Sequence, residues 1–387
     1  MQRSEDRILV THVGSLPRPP ELLGLLLARE NGESYDAQWL DELQARGVSE
    51  IVGRQVALGI DVVGDGELGK TSFLSYVNTR LGGFERRTST GAPPWATSRE
   101  AQAFPDYYAW VAKANPSGAA TALHLAATGP VTYAGADALA ADIRHLKAAV
   151  AEHGAVEAFM PSISPTNVED WQTNEYYGSD EEFLFAIAEA MREEYQAIVN
   201  SGLLLQIDDP ALLTQYTMRP DWSIEDTRAW GRVRVDALNH ALRGLPADRI
   251  RFHTCYSINQ GPRKYELGLE DIIDLVLRIN AGAYSFEAAN PRHEHESRVW
   301  KHVDLPENVL LIPGFVTNSS VMIEHPDTVA DRIVRYAEIV GRERILAGAD
   351  CGFASFAATE EFMPEIVWAK LDALAEGARR ASERLWG

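Results

Sequence analysis

Three short stretches of this chain end in residues that bind soft metal ions. They are RFHTCYS at 251–257, YSFEAANPRHEH at 284–295 and LAGADCGF at 346–353. Residues two apart on an extended segment face the same side, so His253 and Cys255 can reach one ion together. Glu287 and Cys351 complete a tetrahedral set if their segments end at the same point. Two thiolates and an imidazole select zinc over magnesium or calcium, which take oxygen shells. Such an ion turns a thiol with a pKa of about 8.5 into a thiolate at neutral pH and presents it as a nucleophile. Glu287 is then expected to be the displaceable ligand, giving its place to the incoming sulfur. The competing reading makes Cys255 and Cys351 small buried hydrophobes. No other cysteine is present.

Side chains so far apart in sequence need a scaffold that gathers strand ends. Short apolar runs recur near Ile8–His12, Ile60–Gly64, Leu123–Thr128, Leu203–Asp208, Ile250–Cys255, Ala283–Glu287, Val309–Gly314 and Ile345–Asp350. Amphipathic helical patterns fall between them, among them Asp180–Asn200, Thr227–Leu242, Leu269–Asn280 and Thr328–Val340. Eight repeats of strand and helix predict an α/β fold of the (β/α)8 TIM-barrel type, whose C-terminal strand ends share one mouth. An open doubly wound sheet is the alternative. It usually carries G-x-G-x-x-G after the first strand, and that motif is missing here. The expected organisation is one barrel over residues 1–387, with an insertion at about 84–118 rich in Pro, Gly and aromatics. The insertion reads either as a lid or as a surface excursion packed on its own rings.

Charge narrows the partners. Thirty-six basic against fifty-six acidic residues leave a net charge of −20, which repels nucleic acid and anionic membranes. The beginning MQRSEDRILV is charged, and no apolar run reaches the ~18 residues of a membrane span. The expectation is a cytoplasmic protein with small-molecule partners and the homodimeric pairing common among barrels.

Four motifs, THVGSLPRP, QIDDPALL, HTCYS and AGADCGF, resemble the cobalamin-independent methionine synthase family over nearly the whole chain. EAANPRHEHE and IEHPDTVADRI resemble its single-barrel branch, which includes epoxyalkane:coenzyme M transferase-like proteins. The resemblance implies a barrel of the uroporphyrinogen decarboxylase/methionine synthase type, a zinc ion (Zn2+), and attack by a zinc-bound thiolate on an alkyl donor. The family's metal ligands fall on His253, Cys255, Glu287 and Cys351. Its homocysteine contacts fall on Val13, Gly14 and Ser15, on Glu67 in GDGELGK and on Asp208. Backbone N–H groups and Ser15 suit a carboxylate, and Glu67 with Asp208 suits an ammonium group. Ordinary salt bridging at strand ends is the other reading of the two acids.

Two departures bear on the methyl donor. The family's methionine synthases carry a histidine in D-I-H-S after strand seven, as a general acid toward folate, where this chain reads PGFVTNSSVMIEHP. Asn318 or Ser319 stands there, which turns attention to His293, His295 and His12 as proton donors. The tryptophan that meets the pterin ring in longer members has Tyr133 of TGPVTYAG as its nearest counterpart. Trp171, with Tyr176, Tyr177 and the insertion's Trp95, Tyr107, Tyr108 and Trp110, offers further surfaces for a flat donor. The expected activity is zinc-dependent methylation of homocysteine sulfur from a methyltetrahydrofolate, in methionine biosynthesis. The alternatives are an alkyl transferase using another thiol or donor, a non-catalytic zinc- and thiol-binding barrel, and a metal-free decarboxylase.

Overall fold

A computed structural model describes residues 1–87, 94–114, 124–257, 261–356 and 362–387. Eleven strands are present among them: β1 Leu9–Val10, β2 Val62–Gly64, β3 Leu81–Arg87, β4 His124–Tyr133, β5 Glu157–Ile163, β6 Thr173–Asn174, β7 Leu204–Asp208, β8 Ile250–Thr254, β9 Ala283–Phe286, β10 Leu310–Val316 and β11 Leu346–Ala349. Eight of them form one parallel sheet in the order β1-β11-β10-β9-β8-β7-β5-β2. A parallel bridge from Thr11 to Val62 joins its two ends, so the sheet closes into the expected barrel.

The interior follows the two-residue period of the strands. Leu9, Val62, Phe159, Leu204, Ala283, Leu310, Ile312 and Leu346 form a small cluster of their own, which plugs the lumen. Their chain neighbours, such as Val10, Val63, Leu205, Tyr284 and Leu311, join the large cluster beneath the helices. At the plug's level β8 supplies Arg251 instead of an aliphatic residue. Its guanidinium lies 3.9 Å from the Phe159 ring centroid and donates to Thr11 Oγ1 at 3.0 Å and to the His12 carbonyl at 2.8 Å. Burial lowers its pKa to about 9, which leaves it cationic at neutral pH.

One expected barrel strand belongs elsewhere. From His124 onward the run near Leu123–Thr128 lies in β4, which pairs with β3 and β6 in a separate three-stranded sheet; Leu123 itself lies outside the described residues. The third barrel strand is β5, whose run contains Pro161. The expected helices at Asp180–Asn200, Thr227–Leu242 and Thr328–Val340 appear as Asp180–Asn200, Ile224–Leu242 and Pro326–Val340. Leu269–Asn280 is instead a 3-10 turn, Leu269–Asp271, followed by the short helix Ile273–Val276.

The expected insertion is the connection between the antiparallel arms β3 and β4. Its described part holds the turn Pro94–Thr97 and the helices Arg99–Ala103 and Pro105–Ala114; residues 88–93 and 115–118 lie outside the described residues. It docks at the barrel mouth. Arg99 donates to the Tyr216 carbonyl at 2.7 Å and lies over that ring, and buried Glu100 accepts from the Tyr265 backbone N–H at 2.6 Å. No helix among the described residues is long and apolar enough to cross a membrane.

Candidate active site

The strand register assembles the site. Asp208 on β7 pairs with His253 on β8, and His253 pairs with Ser285 on β9, so these three stand at one level of the lumen. Cys255 follows two residues after His253, and Cys351 follows two residues after the end of β11. The ligand atoms of His253, Cys255 and Cys351 all lie within 4.8 Å of one another, and all three residues are buried. The two sulfurs are 3.3 Å apart and form no disulfide.

This group fits a soft cation. His253 Nδ1 meets Ser285 Oγ at 3.0 Å, while buried Nε2 has no hydrogen-bond partner among the described residues. Burial, with Arg251 adding to it, lowers the imidazole to about 3, so the ring is neutral and keeps a lone pair for a metal. The Cys255 sulfur and burial push the Cys351 thiol well up. A cation bound between the two sulfurs would offset that rise and favour the thiolate of Cys351.

Beside these donors a cleft opens, lined also by Val13, Ser15, Glu67, Asp208 and the rings of Phe73 and Phe356. Glu67 ends a tight turn after β2 and keeps a positive φ of 55°, which a non-glycine residue rarely adopts. Asp65 Oδ1 supports the turn by accepting from the Glu67 N–H at 2.9 Å. A Cβ on Gly14 would sit 2.6 Å from Glu67 Oε1, so only glycine lets the carboxylate lie against the turn after β1. Glu67 Oε2 is buried without a hydrogen bond among the described residues, 4.0 Å from Lys70 Nζ. Asp208 accepts from Gln206 Nε2 at 2.8 Å. Burial, followed by the charge of Glu67, drives the Asp208 carboxyl well above its usual range. Two buried carboxylates repel each other here, offset only in part by the long ion pair to Lys70 and by the charge of Arg251, so a small cation between them relieves the site.

Residues 163–367, over half of the chain, match the model of the cobalamin-independent synthase catalytic domain. The chain belongs to that family. Methionine synthase of Thermococcus kodakarensis is 27% identical over 343 residues, covering 88% of this chain and 85% of that one. The same-named protein of Sulfurisphaera tokodaii is 22% identical, covering 97% and 93%. Among solved structures, a B12-independent methionine synthase from Shewanella sp. W3-18-1 in complex with selenomethionine superposes with a TM-score of 0.74 at 17% identity, covering 98% of this chain and 99% of that one. A putative vitamin-B12 independent methionine synthase from Listeria monocytogenes gives 0.65 at 20% identity, covering 98% and 99%. At such identities the superpositions speak for the fold. The chain is thus a cobalamin-independent enzyme of the methionine synthase-like methyltransferase type.

In this synthase-family barrel the remaining expected site residues fall into two sets. Glu287 is buried beside the metal-type donors but outside their group of three. Its Oε1 accepts from the Tyr256 N–H at 2.7 Å, and its Oε2 from Arg263 Nη2 at 2.7 Å and Asn290 Nδ2 at 2.5 Å. Burial raises it to about 7 against the pull of Arg263. Ser15 lines the cavity, and its Oγ accepts from the Ala354 N–H at 3.2 Å. Asn318 is buried after β10 and donates to the Gly352 carbonyl at 3.3 Å, next to the cavity.

The second set lies away from the cavity. Tyr133 belongs to the side sheet and donates to Glu194 Oε2 at 2.7 Å, while Trp171 packs half-buried on the outer core. The cavity's own aromatics are Phe73 and Phe356, packed edge to face at 5.9 Å. His295 is exposed. His293 is buried between Glu296 at 3.0 Å and Glu266 at 2.8 Å and stacks on Tyr256 at 3.9 Å. Burial opposes its charge, but the two glutamates outweigh burial and raise it to about 9. His12 meets Gln55 at 2.8 Å, and burial holds it down at about 4, a neutral ring at pH 7. Of the insertion's rings, Tyr107 and Tyr108 pack edge to face at 5.3 Å and Trp110 is 64% exposed.

Asp350 and Asn290 carry no signal of their own in the sequence. Asp350 accepts the N–H groups of Ala288, Ala289 and Asn290 at 2.7, 2.8 and 3.0 Å, tying the turn that bears Glu287 to the strand end that bears Cys351.

Proposed function

We propose that this protein is a zinc-dependent S-methyltransferase whose acceptor is an amino-acid thiol, with homocysteine as the best fit. One observation carries the reading: a neutral imidazole and two cysteine sulfurs meet at one side of a cavity whose other side holds two buried, under-partnered carboxylates. His253, Cys255 and Cys351 would hold the ion, with Glu287 as the fourth, exchangeable ligand. Zinc bound there supplies a thiolate nucleophile at neutral pH. Glu67 and Asp208 hold the ammonium group of the acceptor, and Ser15 with the backbone around Val13 and Gly14 holds its carboxylate. Phe73 and Phe356 narrow the entrance and exclude water from the sulfur as the methyl group arrives.

Elemental analysis of the purified protein should give one zinc per chain, and L-homocysteine with methyltetrahydrofolate should yield methionine. A metal-free protein that takes up no zinc, with His253, Cys255 and Cys351 intact, sinks the reading.

A specific observation favours a second donor class. None of the histidines expected to protonate folate lines the cavity: His12 is neutral and paired, His293 is ion-paired, and His295 is exposed. Asn318 carries an amide in place of an acid. This favours a methyl or alkyl donor whose leaving group departs without a proton. A panel assay with homocysteine as acceptor decides. Turnover with methyltetrahydrofolate alone supports the folate reading, and turnover only with donors of the proton-independent kind supports the other.

A further inference from the structure

We infer that Arg263 is a positioning residue that draws Glu287 out of the metal's coordination shell and so keeps a place open for the substrate sulfur. The inference rests on the metal reading of His253, Cys255 and Cys351 given above. Glu287 is the family-type fourth ligand, yet its carboxylate is held by Arg263 Nη2 at 2.7 Å, Asn290 Nδ2 at 2.5 Å and the Tyr256 N–H at 2.7 Å. Oε2 is held by two donors and Oε1 by one, so an ion at either oxygen competes with a hydrogen bond already made, and Arg263 fixes the carboxylate's orientation.

Arg263 is built for the task. It is 5% exposed and keeps a left-handed φ of 54°, a conformation that costs free energy in a non-glycine residue and points to a constraint elsewhere. Its Nε is fixed by Glu266 Oε1 at 2.7 Å, and Glu266 is in turn held by His293 at 2.8 Å. The guanidinium therefore cannot drift toward or away from Glu287 as a surface arginine would. Tyr256 is the residue after Cys255, so its N–H links the clamp directly to a metal-type ligand.

The two places available to Glu287 make a two-position exchange. With Glu287 on the ion, four protein ligands close the site; with Glu287 on Arg263, three remain and a thiolate can enter. Loss of the guanidinium shifts Glu287 toward the ion. The apparent affinity for thiol then falls by the fraction of molecules left open, about tenfold if that fraction drops to a tenth.

The test is a double-mutant cycle on the full-length protein loaded with cobalt(II), whose sulfur-to-metal absorption reports thiolate ligation. L-Homocysteine is the probe. In Arg263→Gln its dissociation constant should rise about tenfold or more, with the metal still bound. In Glu287→Gln the affinity should be retained, and adding Arg263→Gln to that background should change it little. Arg263→Lys, which keeps a charge but not the fork, should fall between. Equal weakening by Arg263→Gln in both backgrounds, or none in either, overturns the proposal. If Arg263→Gln does not fold, the comparison of Arg263→Lys with and without Glu287→Gln decides by the same criterion. A wild-type protein that binds no cobalt brings down the metal reading itself, whereas normal cobalt and homocysteine binding with an indifferent Arg263 brings down only the clamp.

Discussion

Two groups of buried carboxylates in this molecule are opposite in how they are partnered. Glu194 lies between the barrel and the side sheet, fully buried, with Tyr76 Oη and Ser162 Oγ both at 2.7 Å from Oε1, and Arg80 at 3.1 Å and Tyr133 Oη at 2.7 Å from Oε2. Burial alone would raise it, but Arg80, then Lys70, then the hydroxyls hold it below the usual carboxylate range. Glu67 and Asp208 are nearly as deep, yet Glu67 Oε2 has no hydrogen bond among the described residues and Asp208 is driven upward by burial and by its neighbour. The first group is complete without a guest. The second gains from one, and the same holds for the bare His253 Nε2 beside it.

The contrast breaks most visibly at the open group. Cys351→Ser should lose zinc and lower turnover by about a thousandfold, the rate equivalent of the several kcal/mol a catalytic metal supplies, while circular dichroism stays native. Glu194→Ala should do the reverse, costing about 3 kcal/mol or more of stability in denaturant titration, because Arg80 is left buried and only part-neutralised by Asp142. Glu67→Gln should hardly change stability but raise KM for homocysteine about thirtyfold, the worth of one hydrogen bond to a charged group. Gly14→Ala removes no functional group, yet its Cβ must displace Glu67; KM should rise about tenfold with kcat little changed. Equal losses of stability in the Glu67 and Glu194 variants would erase the distinction.

Proton linkage gives the smallest and finest test. Glu194 has a folded pKa below its unfolded one, so its contribution to stability is present above pH 4.5 and is lost as pH falls through the folded value. Asp208 has a folded pKa above 3.8, so its contribution in the ligand-free protein is full below that pH and is lost as pH rises through the folded value. On the proposed reading homocysteine should reverse the second trend, since its ammonium group would favour the ionised carboxylate. Stability against pH, measured with and without homocysteine in wild type and Asp208→Asn, should show a ligand-dependent limb that disappears in the variant.

How much of this is legible in the residues depends on which forces act along the chain. The inward alternation of β8 and β9 is local, so RFHTCYS and YSFEAANPRHEH reveal which side chains face the lumen. Which sheet an apolar run joins is not local. HLAATGPVTY and EAFMPSI are both strands, but Pro161 breaks the apolar pattern of EAFMPSI, the one that lies in the barrel wall. Tyr133 depends on HLAATGPVTY being a barrel strand for any place at the cavity, and it falls away with it; Trp171 ends the helix after β5 and packs on the outer core instead. The ring pair that does line the cavity comes from loops after β2 and β11, where no period marks a residue. Glu287 is legible as a candidate ligand, but its clamp depends on Arg263, whose left-handed backbone has no compositional signature.

The seam between β1 and β11 sets a time order on the living molecule. Ser15 receives the N–H groups of Phe353 and Ala354, on its carbonyl at 3.1 Å and its hydroxyl at 3.2 Å, so segments more than three hundred residues apart finish the mouth together. During synthesis the first thiol leaves the ribosome almost a hundred residues before the second, and a lone histidine-cysteine pair makes a poor trap for metal. On the proposed metal reading, loading would wait for the strand that brings Cys351 to His253 and Cys255, so a chain still lacking it would not capture an ion there.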